Sequence, residues 1–171
     1  MFNRREFIAA SALASAALAA CRHSQYAFLT EKDSATLAAL CDQIIPADDF
    51  PSASQAGVLT YIDRQLTRHY RRHQQAYRDG LMQANLLSRN RFDVDLADAS
   101  QQQQFEIATN LEQQNRPFFD LVRSHTMQGY YGSPRHGGNR DAASWRMLGL
   151  DEPPVRGRAQ YDFTAASGSK P

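Results

Sequence analysis

The sequence predicts an all-α fold: a single compact domain of about five helices, following a cleaved N-terminal signal. Three observations carry that expectation. Apolar residues recur three and four positions apart in successive runs, which places them on one face of a helix. No segment shows the period-two alternation of a half-buried strand. Residues that start helices, Thr30, Ser100 and Pro117, stand where those runs begin. A length of 171 residues suits one domain.

The first element is a signal. Arg4 and Arg5 form a positive start, and Phe7 to Ala20 is almost entirely Ala, Leu, Ile and Ser. Those 14 residues span about 21 Å as a helix, short of the roughly 30 Å bilayer core, so they read as the apolar region of an export signal. The segment Asn3-Arg4-Arg5-Glu6-Phe7-Ile8-Ala9 resembles a twin-arginine signal. It keeps both arginines and the phenylalanine and departs at Asn3, Ile8 and Ala9. Leu18-Ala19-Ala20-Cys21 resembles a bacterial lipobox, in which the cysteine thiol is acylated and the signal is cut just before it. The plainer reading is an Ala-x-Ala cleavage site with a cysteine beside it. Either way residues 1–20 are expected to be removed and the mature chain to work outside the cytoplasm. Residues 21–29 are expected to be a tether.

The domain is expected to span residues 30–150. Thr30 and Asp33 form a capping box, followed by Leu37, Leu40, Cys41, Ile44 and Ile45 on one face, and Pro46 ends the helix. A second helix is predicted from near Ala53, with Val58, Tyr61, Ile62, Leu66 and Tyr70 as its apolar stripe. A third covers about 73–90, with Tyr77, Leu81, Met82, Leu86 and Leu87 as candidate core and Gly80 as a weak point. Ser100 caps a fourth, to about Gln114, and Pro117 opens a fifth bearing Phe118, Phe119, Leu121, Val122, His125 and Tyr130. Residues 132–140 read as a glycine-rich loop, and Trp145, Met147 and Leu148 as a short docking helix. Residues 151–171 read as a mobile tail.

Composition narrows the function. A mean hydropathy of −0.57 excludes an integral membrane protein. Removing two arginines and one glutamate with the signal, from 19 basic and 18 acidic residues, leaves 17 of each. Such a balanced surface has no global field to draw nucleic acid. With Cys21 acylated, Cys41 has no partner within the chain, so a packed core has to hold the domain. The sequence contains no dinucleotide fingerprint, P-loop, Cys-x-x-Cys-His haem attachment or Gly-x-Ser-x-Gly elbow.

Several residues invite a chemical reading that a blander one outweighs. His69 and His73 have a metal-binding spacing on one predicted helix, but Arg68, Arg71 and Arg72 surround them and oppose a divalent cation. A solvated basic face is the better reading. The same cluster suits anionic lipid if Cys21 is anchored. Asp48 and Asp49, after a helix-ending proline, read as turn residues, and Cys41 as a buried structural thiol. No catalytic and no metal-binding residue is assigned. The densest feature runs from Phe118 to Trp145. It is either a loop folded back on its own core or a docking surface for a large partner, and composition favours neither.

Two blocks resemble a known family, the small subunit (subunit 3, or gamma subunit) of membrane-bound, flavin-dependent gluconate 2-dehydrogenase and related sugar and alcohol dehydrogenases. One is Ile44 to Asp49 with Pro51, Ala56-Gly57-Val58 and Tyr61-Ile62-Asp63-Arg64. The other is Phe118 to Thr126, Gly129 to Asp141, and Trp145 to Gly149. His136-Gly137-Gly138-Asn139 stands where the family commonly has Tyr-Gly-Gly-Asn. The likeness covers roughly residues 33–150 and is loose over 66–115. It implies a non-catalytic, membrane-associated accessory subunit on the periplasmic side of the envelope. A large flavoprotein would hold FAD, and a multihaem cytochrome c subunit would pass electrons on. The small chain would bind no cofactor and would escort the folded flavoprotein out through Arg4, Arg5 and Phe7, with Cys21 as a lipid anchor. The partner interface falls on Tyr130, Tyr131, Pro134, Arg135, His136, Gly137, Gly138, Asn139, Arg140 and Trp145. Two other readings stay open: a free-standing envelope lipoprotein that scaffolds another complex, and an independent enzyme using His125, His136 or Asp141.

Overall fold

In the computed structural model residues 25–150 are described. The signal residues Arg4, Arg5 and Phe7, the acylation candidate Cys21 and the tail 151–171 lie outside the described residues. The described chain forms helices α1 (Glu31–Ile44), α2 (Val58–Leu66), α3 (Gln74–Phe92), α4 (Gln101–Gln114), α5 (Arg116–Tyr131) and α6 (Ala143–Met147). Short 3-10 turns lie at Arg71–His73, Leu96–Asp98, Pro134–His136 and Arg140–Ala142. Among the described residues there is no strand, and no helix is long and apolar enough to cross a membrane.

The helix starts follow from local chemistry. The Thr30 hydroxyl accepts from the Asp33 amide while the Asp33 carboxylate accepts from the Thr30 amide. Ser100 and Gln103 make the same reciprocal pair at α4. At α5 the Asn115 side chain accepts from the Phe118 amide, and Pro117 occupies the first turn, where an amide hydrogen has no helical partner. Each such cap is worth about 0.5–2 kcal/mol.

Helix α1 is the centre of the bundle, because α2, α3, α4 and α5 all pack on it. Its buried face is Thr36, Leu37, Leu40 and Cys41. Val58, Ile62 and Leu66 come in from α2, Tyr77 and Leu81 from α3, Ile107 and Leu111 from α4, and Phe118, Val122 and Tyr130 from α5. Each large apolar side chain contributes about 1.5–3 kcal/mol by leaving water. Among the described residues, buried Ser88 Oγ has no hydrogen-bond partner, whereas the Asn85 side chain is paired at both ends. The Asn85 amide donates to Thr36 Oγ1 at 2.6 Å, and its carbonyl accepts from the Leu96 amide at 3.0 Å. One side chain therefore ties α3 to α1 and to the 96–98 turn.

The structure corrects the expected pattern in several places. The second helix begins at Val58 and not near Ala53. Gly57 sits at φ +82°, a left-handed conformation that a helix cannot continue through, so residues 53–57 form a separate turn. Met82 and Leu86, expected in the core, are 66% and 57% exposed. They lie one turn apart on the solvent side of α3, while Tyr77, Leu81 and Ala84 meet the core. Helix α3 runs unbroken through Gly80. His69 and His73 do not share a helix: α2 ends at Leu66, His69 lies in a turn, and His73 lies in the 3-10 turn beyond it. Tyr70, expected on the α2 stripe, lies past the end of that helix and is half-buried.

Residues 27–29, inside the expected tether, are fastened to the domain. The Asp63 carboxylate on α2 accepts from the amides of Ala27 (2.9 Å), Phe28 (2.8 Å) and Leu29 (3.0 Å). Asp63 is only 5% exposed and Leu29 2%. A carboxylate removed from water loses its hydration, and three amide donors replace it. Sequence periodicity gave no sign of this, since an aspartate on α2 reads as a solvent residue. Asp63→Asn would replace one acceptor oxygen by an NH2 group facing N–H donors. The expected loss of unfolding free energy is about 2–4 kcal/mol, measured by urea denaturation of the chain from residue 21 onward.

Candidate partner-binding face

The predicted interface begins where α5 ends. Gly132 caps α5 in an extended conformation, and the chain then turns back across α5 and α2. Asn139 holds this return. Its Nδ2 donates to the Gly132 carbonyl at 2.9 Å, and its Oδ1 accepts from the Ser144 amide at 2.9 Å, the second residue of α6. Asn139 itself is at φ +46°, a region that Asn tolerates better than most residues. The Arg140 amide donates to the Ala56 carbonyl at 2.8 Å, which pins the loop to the turn before α2. Trp145 Nε1 donates to the Tyr131 carbonyl at 2.9 Å, and the Arg146 guanidinium donates to the Asp141 carbonyl. Gly138 lies so close to α5 that a Cβ there would fall 2.1 Å from the Gly129 carbonyl oxygen, which only glycine permits.

These contacts divide the ten predicted interface residues. Tyr130, Gly138 and Asn139 are buried within the chain, and the Tyr130 hydroxyl donates to the Pro51 carbonyl at 2.8 Å. Pro134, Gly137 and Trp145 are half-buried. Tyr131, Arg135, His136 and Arg140 are exposed, and Arg135 Nε donates to His136 Nε2 at 3.3 Å. The loop is thus folded on its own core and still presents two arginines, an imidazole and a phenol to solvent.

Beneath it runs a polar seam that sequence reasoning missed. Tyr77 Oη lies 2.9 Å from His125 Nδ1, and the His125 ring stacks on Tyr70 at 4.2 Å between centroids. The Tyr70 and Tyr61 hydroxyls both donate to Gln128 Oε1, at 2.6 and 3.1 Å. Cys41 Sγ meets Thr126 Oγ1 at 3.2 Å. His125 and Thr126 interrupt the buried face of α5 with polar groups, which was the available signal. Burial pushes the His125 pKa down from 6.5 to about 4, with the neighbouring His73 adding to the shift. Burial pushes the Cys41 thiol up to about 12 and raises the Tyr77 phenol as well. At neutral pH the seam therefore holds a neutral imidazole and a protonated thiol. Neither is poised as a base or nucleophile.

Of the other candidates only His73 borders this seam, its ring edge-on to His125 with centroids 5.7 Å apart. Asp48 Oδ1 accepts from the Phe50 amide at 2.8 Å, an Asx turn, and Asp48 and Asp49 are exposed. His136 and Asp141 are exposed on the loop, away from His125. His69 is exposed, and His73 Nε2 accepts from Arg72 Nε at 3.1 Å.

A family model described as gluconate 2-dehydrogenase subunit 3 matches residues 31–151. No curated protein and no solved structure matches the chain.

Two outcomes follow from this geometry. Asn139→Ala would orphan the Gly132 carbonyl and the Ser144 amide in one step, lowering stability by about 2 kcal/mol. Arg135→Ala and His136→Ala would stay within about 0.5 kcal/mol of the parent in the same urea titration. The second outcome concerns acid. Between pH 6.5 and about 4 the unfolded chain takes up a proton at this histidine that folded His125 refuses. Its effect on stability is therefore absent above pH 6.5, grows as pH falls, and levels off below about 4. Melting curves from pH 7 to 4 should show this decline, and His125→Gln should flatten it.

Proposed function

Since the chain belongs to the gluconate 2-dehydrogenase subunit 3 family, we propose that it is the non-catalytic small subunit of an exported, FAD-dependent dehydrogenase of the gluconate type, acting on a sugar or alcohol. The family match, which spans nearly all the described residues, is the observation that carries this reading. In the proposed complex a large flavoprotein holds FAD and performs the oxidation. A multihaem cytochrome c subunit takes the electrons onward. This chain supplies the export signal and a rigid docking surface. Arg4, Arg5 and Phe7 direct the folded flavoprotein through the twin-arginine route, and acylated Cys21 keeps the assembly at the periplasmic face of the membrane.

The exposed part of the 131–145 loop supports this assignment. Arginine and aromatic side chains on a fixed backbone lose little conformational freedom on docking, which favours them as anchors. Arg135, His136, Arg140 and Tyr131 have those properties. The neutral, enclosed His125 fits a structural role better than a catalytic one.

Co-expression of the flavoprotein with and without this chain tests the escort role. Periplasmic flavoprotein activity is expected to depend on the chain and to vanish with Arg4→Lys plus Arg5→Lys. Normal periplasmic activity in its absence would refute the assignment. Arg135→Ala combined with His136→Ala is expected to weaken co-purification roughly tenfold or more, without the loss of stability that Asn139→Ala brings.

A further inference from the structure

The link between α2 and α3 is a surface that the partner-binding face does not use. It carries Arg68, Arg71 and Arg72, all exposed, with Arg78 one turn into α3. Among the described residues none of these four is in an ion pair, whereas Arg89, Arg91, Arg116 and Arg123 all are. The acids closest to them in sequence, Asp63 and Asp79, form no ion pair with them and are hydrogen-bonded elsewhere. Asp63 uses its two oxygens on residues 27–29, and Asp79 accepts from Gln75 Nε2.

The same end of the molecule is where the N-terminal segment leaves the domain. Asp63, which holds Ala27 and Phe28, lies one turn before the end of α2. The Arg78 guanidinium lies over the Phe28 ring, 5.2 Å from its centroid, one turn after the start of α3. Residues 27–28 are therefore fixed within one turn of the connector on both sides. Cys21 stands six positions before Ala27, a span that reaches at most about 20 Å. A lipid on Cys21 could not sit far from the connector arginines.

We infer that this connector is a membrane-contact surface, and that Arg68, Arg71, Arg72 and Arg78 bind the anionic headgroups of phospholipids. The inference rests on the envelope reading in one respect, the anchor at Cys21, and adds the orientation of the domain on the bilayer. Two weak signals then act together. An acyl chain alone binds reversibly, and a basic patch beside it completes a stable attachment. The anchor end faces the membrane, and the loop carrying Arg135 and His136 stays available to a protein partner.

Vesicle sedimentation at low salt tests this with the chain from residue 21 onward, which contains every described residue, carrying Cys21→Ser so that no acyl chain contributes. Binding is expected to vesicles of phosphatidylcholine with one-third phosphatidylglycerol and not to phosphatidylcholine alone, and to fall as salt is raised. Each arginine is expected to contribute about fivefold, so Arg68→Gln, Arg71→Gln and Arg72→Gln together should cost roughly a hundredfold. Arg116→Gln with Arg123→Gln, on α5, should leave binding unchanged, and circular dichroism should show both variants folded. Equal binding to neutral vesicles, no binding to either, or a triple variant within about twofold of its parent would overturn the inference. Because the flavoprotein is absent, none of these outcomes bears on the subunit assignment. Mass spectrometry of the mature N-terminus decides the Cys21 anchor separately.

Discussion

A carboxylate cannot be taken out of water unless hydrogen bonds replace its hydration, and Asp63 receives three from consecutive backbone amides. Much of the molecule's geometry depends on that exchange. It fixes the path of residues 27–29 against α2, and Thr30, one residue later, caps the central helix. The start of α1 is thereby set relative to α2. The same bonds decide where residues 27–29 join the domain. Arg64, the next residue, points the other way. Its guanidinium lies where a Cβ on Gly137 would be, 2.9 Å away. Adjacent positions on α2 thus address opposite ends of the described chain.

The return loop after α5 concentrates unusual backbone. Asn139, Asp141 and Ala142 all have positive φ, and Asp93 is the one other non-glycine residue with this property among the described residues. Such conformations cost free energy and persist only when their surroundings over-determine them. Here the surroundings are the two Asn139 hydrogen bonds, the Arg140 bond to Ala56 and the close approach of Gly138 to α5. The result is a surface whose exposed side chains stand on a backbone with little freedom left to lose. The two readings of this segment, folded loop and docking surface, are compatible, because the folding is what holds the exposed residues in place.

The seam of Tyr77, His125, Tyr70, Gln128 and Tyr61 shows how polar residues serve a helical core without reacting in it. Hydrogen bonds satisfy the groups, and burial holds the imidazole neutral and the thiol protonated. Their contribution is positional. The Tyr77–His125 bond joins α3 to α5, and Gln128 joins α5 to Tyr61 of α2 and to Tyr70 in the link beyond it. Polar pairs of this kind are satisfied in few alternative registers, whereas apolar contacts tolerate sliding.

The sequence by itself determined what depends on neighbours along the chain. Thr30–Asp33, Ser100 and Pro117 marked three helix starts, because caps are bonds between residues a few positions apart. The period of the apolar residues was enough for an all-helical domain, and the motif blocks were enough for the family. Tertiary structure decided the rest. Periodicity finds an apolar face but not whether a neighbour covers it, so Met82 and Leu86 looked like core and stand in solvent. Gly57 broke a helix that local pattern would have continued, through a left-handed turn that packs against the Gly137 carbonyl some 80 residues away. Within the predicted interface, residue type could not separate Asn139, buried and bonded on both sides, from Arg135 and His136 in water. Asp63 is the plainest case. Its three donors lie 34 to 36 residues back along the chain, and only folding brings a charge and its solvation together over that separation.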